Sequence, residues 1–278
     1  MKRISLDEIA RYVEANIPLF HRRRLDSLAH LQLHKVLRRK NPYLFRAKNI
    51  TVASDLIRGI LDAHLSSQEE TLFGGFLEGL ATFVCQKAYG GRKSSAEGVD
   101  LEFERDGVWY LVSIKSGPNW GNSSQIKKMI QNFTRAKRIL RTNAPGRNIC
   151  AVNGCCYGTD PVEDKGDYLK KCGQSFWSFI SGDENLYTAI VEPLGRRAKE
   201  RNDAFQQEYA RVVNRFTRQF IREFCSKDGS VDWEKLVRFV SGRPNASAGG
   251  RLPSSSRMSS GRAAPLKASA IPRRSGPR

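Results

Sequence analysis

Residues 97–115 read EGVDLEFERDGVWYLVSIK, and the order of apolar, charged and turn residues in this run decides the architecture. Asp106-Gly107 signals a two-residue hairpin loop, because such turns need positive φ at positions that Asp and Gly tolerate. Before the turn, Val99, Leu101 and Phe103 alternate with Asp100, Glu102 and Glu104. After it, Tyr110, Val112 and Ile114 alternate with Trp109, Leu111, Ser113 and Lys115. A pleated strand sends successive side chains to opposite faces, so each strand has two distinct sides. Pairing Arg105 with Val108 across the loop sets Asp100 opposite Ser113, with Lys115 just beyond on the same face. A carboxylate and an ammonium meet there beside the small polar run SGPNWGNSS of residues 116–124, a combination suited to a phosphate and a divalent cation.

The flanks extend this picture. A helix N-cap is expected at Ser123 or Ser124, which would turn free backbone N–H groups toward a phosphate. The following helix buries Ile126, Met129, Ile130, Phe133, Ala136 and Leu140, while Lys127, Lys128, Arg135, Arg138 and Arg141 spread over its other sides. No acid occurs between Asp106 and Asp160, against eight Lys and Arg, whereas Glu69 to Asp106 holds eight acids. Metal-assisted cleavage of a polyanion needs this pairing of acids for the cation and bases for the backbone. Upstream, residues 69–88 predict an apolar helix with Glu78 set among Phe76, Leu77, Leu80, Phe83 and Val84. A buried carboxylate without a partner is costly. Glu78 therefore either meets a metal or lies on an exposed stripe beside Gly74 and Gly75; Glu97 is the rival acid.

Asp100 followed by Ser113-Ile114-Lys115 resembles the core motif of the PD-(D/E)xK nucleases. The runs GRKSSAEGVD (91–100), KSGPNWGNSSQ (115–125), VNGCCYG (152–158) and CGQSFWSFISG (172–182) resemble one branch of the type II restriction endonucleases. The similarity covers roughly residues 70–200. It departs at Ser113, where most of the superfamily has Glu or Asp, so an acid must come from elsewhere. The resemblance implies Mg²⁺ held by Asp100, Glu78 and the Ile114 carbonyl, with Lys115 acting on the attacking water and the phosphate and Ser113 beside them. It implies duplex DNA as substrate, a homodimer cutting both strands, and a cognate DNA methyltransferase. Lys93, Asn119, Asn122, Ser123, Ser124, Lys127, Lys128 and Arg135 are the expected DNA contacts. The alternatives are a structure-specific or repair nuclease of the same superfamily, or a basic DNA-binding protein on a decayed nuclease fold, for which Ser113 argues.

A net charge of +19 points to a polyanion, nucleic acid being the usual one. No run of 18 apolar residues occurs and the N-terminus lacks an apolar signal core, so a cytoplasmic protein without a membrane span is expected. The six cysteines lack disulfide-framework spacing; Cys150, Cys155, Cys156 and Cys172 read as buried thiols rather than a zinc cluster, since no CxxC pair occurs. His21, His30 and His34 likewise lack the companions of a metal site.

The expected fold is α/β, of the α+β restriction-endonuclease kind: a mixed sheet around the core hairpin, flanked by helices, with helical elaborations at both ends. Four regions follow: a basic helical segment over 1–68, the nuclease core over 69–200, helices over 201–242 and a tail over 243–278. A capping box at Ser5–Glu8 opens the first helix, which Pro18 is expected to close. Residues 21–48 hold nine Lys and Arg against Asp26 and suggest a helix with a basic face. Asn148–Asn153 predicts a third core strand, and Phe176, Trp177 and Phe179 predict core rather than base-stacking groups. Phe205, Tyr209, Val212, Val213, Phe216, Phe220 and Phe224 stripe a long helix over 197–225, for its own domain or a dimer interface, with a short helix around Trp233–Val240. The tail carries eight Lys and Arg and no acid, and reads as a disordered basic appendage.

Overall fold

Asp106 and Gly107 take φ of 52° and 74°, the left-handed turn that lets two strands fold back with their twist matched. The computed structural model describes residues 4–196 and 198–243. Around this turn, β2 (Leu101–Arg105) pairs antiparallel with β3 (Val108–Lys115), Arg105 opposite Val108 and Leu101 opposite Val112. This is the register that the alternation predicts. β4 (Asn148–Cys155) adds parallel to β3 and β5 (Leu169–Cys172) parallel to β4, while β1 (Arg92–Lys93) pairs antiparallel with β2. The sheet is therefore mixed, in the order β1-β2-β3-β4-β5. The short strands β1 and β5 escape sequence reading, because two and four partly polar residues carry no period.

Each sheet face has its own cover. Leu101, Phe103, Val112, Ile114 and Val152 pack under α4 (Ala53–Tyr89), α1 (Leu6–Ala29) and α6 (Gln174–Ser181). Phe176, Trp177 and Phe179 are buried in this cluster, as the sequence predicts. The short helices α7 (Leu186–Ala189) and α8 (Val191–Gly195) close its edge with Leu186 and Ile190. On the opposite face, Val99, Leu111, Ile149 and Ala151 meet Met129, Phe133 and Ala136 of α5 (Ser123–Asn143), the β3–β4 crossover. A third cluster is wholly helical. It joins Leu28, α2 (Leu33–Leu37), α3 (Pro42–Ala47), the first half of α4, α9 (Ala198–Phe224) and α10 (Trp233–Ser241). The aromatic stripe of α9 is buried there against its own chain.

Several boundaries differ from expectation. Pro18 lies inside α1 rather than ending it. The lost N–H and the ring clash are outweighed because α1 buries Ile17 in one cluster and Leu28 in another. The apolar helix begins at Ala53, not near 69, and its 37 residues, about 55 Å long, join both clusters. The basic segment over 21–48 divides into the end of α1, α2 and α3, with Asn41 capping α3 by accepting the Tyr43 N–H and Pro42 in its first turn. Asn122, not Ser123 or Ser124, caps α5, in a reciprocal box with Gln125. The tail expected over 243–278 lies outside the described residues apart from Arg243.

Candidate active site

The open end of the hairpin gathers unlike charges from four elements. Asp100 stands one residue before β2, its N–H donating to the Val112 carbonyl at 2.8 Å. One of its carboxylate oxygens accepts the Ile114 N–H at 2.6 Å and lies 3.4 Å from the Ser113 hydroxyl. The N–H and C=O of a strand residue point to the same edge, so the Ile114 carbonyl faces the Asp100 side of β3. Lys115 places its Nζ 3.9 Å from the same Asp100 oxygen, a loose ion pair.

Glu78 arrives from α4. A Cβ at Gly74 would stand 2.6 Å from the Ser116 hydroxyl, so the helix passes close to the end of β3, and a larger residue here would have to turn that hydroxyl aside. One turn later Glu78 is half-buried, and its carboxyl is pushed upward first by burial and then by the Asp100 charge, against the pull of Lys93 and Lys115. Among the described residues, nothing donates a hydrogen bond to that carboxylate and no cation pairs with it. Two carboxylates and a backbone carbonyl are hard oxygen donors in the small number that suits Mg²⁺, which keeps several waters. No group of three or more His, Cys, Asp or Glu among the described residues is placed to hold a metal ion. Cys156, near Glu78, is pushed up to about 12 by burial and stays protonated, so it offers no soft thiolate ligand.

The rival acids are engaged elsewhere. Glu97 is exposed and pairs with Lys128 at 3.0 Å and Arg135 at 2.9 Å, which hold its carboxyl below the usual range. Glu102 pairs with Arg92 at 2.8 Å. Of the expected DNA contacts, Lys93, Asn119, Ser123, Ser124 and Lys127 are exposed, the side chain of Asn122 is occupied in its cap, and Lys128 and Arg135 are tied to Glu97.

Sequence reading missed what steadies Lys115. Trp120 donates from Nε1 to Asn153 Oδ1 at 3.1 Å, and Asn153 donates from Nδ2 to the Ser113 carbonyl at 3.2 Å. The Lys115 ammonium lies 5.3 Å from the centre of the Trp120 ring, within cation–π range. Lys170, paired with Asp160 at 2.9 Å, donates to the Pro118 carbonyl at 3.1 Å and pins the same loop. The one available signal was Asn153 itself, a lone amide in the apolar run ICAVNGCC.

The model of the family described as Type II restriction endonuclease EcoO109I matches residues 7–202. No curated protein matches the chain. The matched span is well over half of the sequence and takes in the whole sheet, α4 and each residue that converges at the hairpin's open end. Fold, charge and family match agree, and the chain belongs to the family of the type II restriction endonuclease EcoO109I.

Proposed function

We propose that the chain is a Mg²⁺-dependent endonuclease that hydrolyses phosphodiester bonds at defined sites in double-stranded DNA, with Asp100, Glu78, Ser113 and Lys115 as its catalytic group. The observation that carries this reading is the convergence of Asp100 and Lys115, 3.9 Å apart, with a half-buried Glu78 that no protein cation or donor satisfies. Asp100, Glu78 and the Ile114 carbonyl would hold the metal. When bound, Mg²⁺ supplies positive charge against the phosphate and makes water a better nucleophile.

The chain's own groups do the rest. Lys115 donates to the scissile phosphate and orients the attacking water, stabilising the negative charge that builds in the transition state. Ser113, almost fully buried and neutral, steadies Asp100 through its hydroxyl and adds no charge, which is why Glu78 is needed. Lys93, Lys127, Lys128 and Arg135 hold the DNA backbone, helped by Asn119, Asn122, Ser123 and Ser124 around the start of α5. Residues 69–200 form the nuclease core, with the regions 1–68 and 201–242 as helical elaborations. A homodimer presents two such sites to a roughly palindromic duplex. A methyltransferase protecting the same sequence is the expected companion, without a stable complex. Digestion of phage-length DNA with Mg²⁺ tests the proposal: discrete bands are expected, whereas a smear points to a nonspecific or structure-directed nuclease and intact DNA to a decayed fold.

A further inference from the structure

α9 bears a second basic surface on the side away from its buried aromatic stripe. Arg211, Arg215, Arg218 and Arg222 recur every three or four residues, so they line one face of the helix. All four are exposed, and with Asn214 and Gln219 they border an open groove of about 440 Å³. No acid occurs between Glu208 and Glu223. At the two ends the exposed Arg211 and Arg222 pair with partly covered acids, Glu208 at 3.3 Å and Glu223 at 3.7 Å, and a pair open to water on its arginine side holds charge weakly. Arg215 reaches the Leu31 carbonyl at 3.4 Å, and Arg218 has no hydrogen-bond or ion-pair partner among the described residues. Like charges one turn apart destabilise a helix. The helix dipole offsets this only in the last turn, at Arg222. Such a stripe is unfavourable for the protein alone and matches the charge spacing of a polyanion.

Its place in the fold selects which polyanion. Phe205 borders one groove with Leu65 and Glu69, and the Tyr209 hydroxyl donates to Asp62 at 2.6 Å, so α9 runs antiparallel to α4. At about 1.5 Å per residue, the stripe begins about 27 Å from Glu78 along this axis and ends about 43 Å away. A duplex lying along this axis would cover that distance in about 8 to 13 base pairs at about 3.4 Å each. We infer that the α9 stripe binds the phosphate backbone of the duplex that flanks the cut site. The inference rests on the endonuclease reading, and it adds a contact outside the catalytic core.

The test is binding, with EDTA present, to nonspecific duplexes of about 12 and about 40 base pairs over a range of salt concentrations. Arg218→Ala/Arg222→Ala should lower the log–log salt slope on the long duplex by about 3.6, at about 0.9 for each of two phosphate contacts in each subunit of the proposed homodimer, and leave the short duplex unaffected. Arg218→Lys/Arg222→Lys, which keeps the charges, should retain most of the slope. An unchanged slope on the long duplex overturns the inference. Equal losses on both duplexes overturn the flanking position, and a change in oligomeric mass in the alanine variant assigns the stripe to a subunit interface instead. Lys115→Ala separates the two readings, because it should lose cleavage while keeping both slopes. If the wild-type protein binds neither duplex, the endonuclease reading falls as well.

Discussion

The two ends of the β2–β3 hairpin carry similar side chains and differ in what those side chains have left to bind. At the turn end, Glu104, Arg105, Asp106, Lys171, Ser178 and Glu184 border a cavity of about 1020 Å³. There most of the charges have partners: Arg105 with Asp106 at 3.1 Å, Lys171 with Glu163 at 2.8 Å, and Glu184 with the Ser178 hydroxyl at 2.5 Å, while Glu104 has none among the described residues but is exposed to water. At the open end Lys115 is held loosely at 3.9 Å, and the Glu78 carboxylate has no hydrogen-bond donor or ion-pair partner among the described residues, with Lys93 and Lys115 acting on it only at longer range. A paired charge presents little net field to a ligand. An unpaired, half-buried one raises the energy of the free protein until a cation arrives. Room alone does not mark a site; an unpaired charge that is also half-buried does.

Exchanging Lys115 and Lys171 for alanine, one at a time, sharpens this contrast most. Lys115→Ala should slow cleavage by about 10²–10⁴-fold, the range for losing a positioned proton donor, while duplex binding persists. Lys171→Ala should cut near the wild-type rate, and equal losses would break the comparison. Next, Glu78→Gln should slow cleavage on the order of 100-fold, since metal charge stabilisation is worth several kcal/mol. Glu97→Gln and Glu102→Gln should remain active, because those acids serve Lys128, Arg135 and Arg92. Normal cutting by Glu78→Gln with a dead Glu97 or Glu102 variant would reverse the assignment.

Smaller effects separate positioning from chemistry. Trp120→Leu removes the ring beside Lys115 and the hydrogen bond to Asn153, together worth about 1–2 kcal/mol, or about tenfold in rate. Trp120→Phe keeps a ring and should recover part of that loss; identical rates for both variants would show that the ring contributes nothing. The smallest effect is on stability. The carboxyl of Glu78 is raised in the folded protein, so its stabilising contribution is present below the ordinary carboxylate pKa and lost as pH rises through the raised value. In metal-free protein at neutral pH, Glu78→Gln should therefore melt slightly above wild type, and the two should converge in acid. A lower melting temperature for the variant would mean that Glu78 is held by the fold rather than kept free.

The geometry of the candidate site was largely legible because most of its residues fall on one hairpin. Period-two alternation and a two-residue turn fix the pairing, and the pairing sets Asp100 against Ser113. Glu78 was readable for a different reason, as a carboxylate in an apolar helix. What escaped reading depends on contacts distant in sequence. Asn153 and Trp120 meet only once β4 lies beside β3, and nothing in their local spacing announces it. Pro18 misled because a local rule about proline was outweighed by packing at Ile17 and Leu28 on either side. The choice of cap at α5 turned on a reciprocal bond between Asn122 and Gln125, one residue earlier than the serines suggested.

Glu78 and Asp100 are proposed to act as one metal-holding pair, and the proposed chemistry depends on that pair first. Cleavage of phage-length DNA by the wild type and by Glu78→Gln, measured across a Mg²⁺ titration, examines that pair without changing its shape. The variant should need markedly more Mg²⁺ to reach half its maximal rate, with the excess metal recovering part of the lost activity. The same half-saturating Mg²⁺ concentration in both proteins would show that Glu78 does not hold the metal.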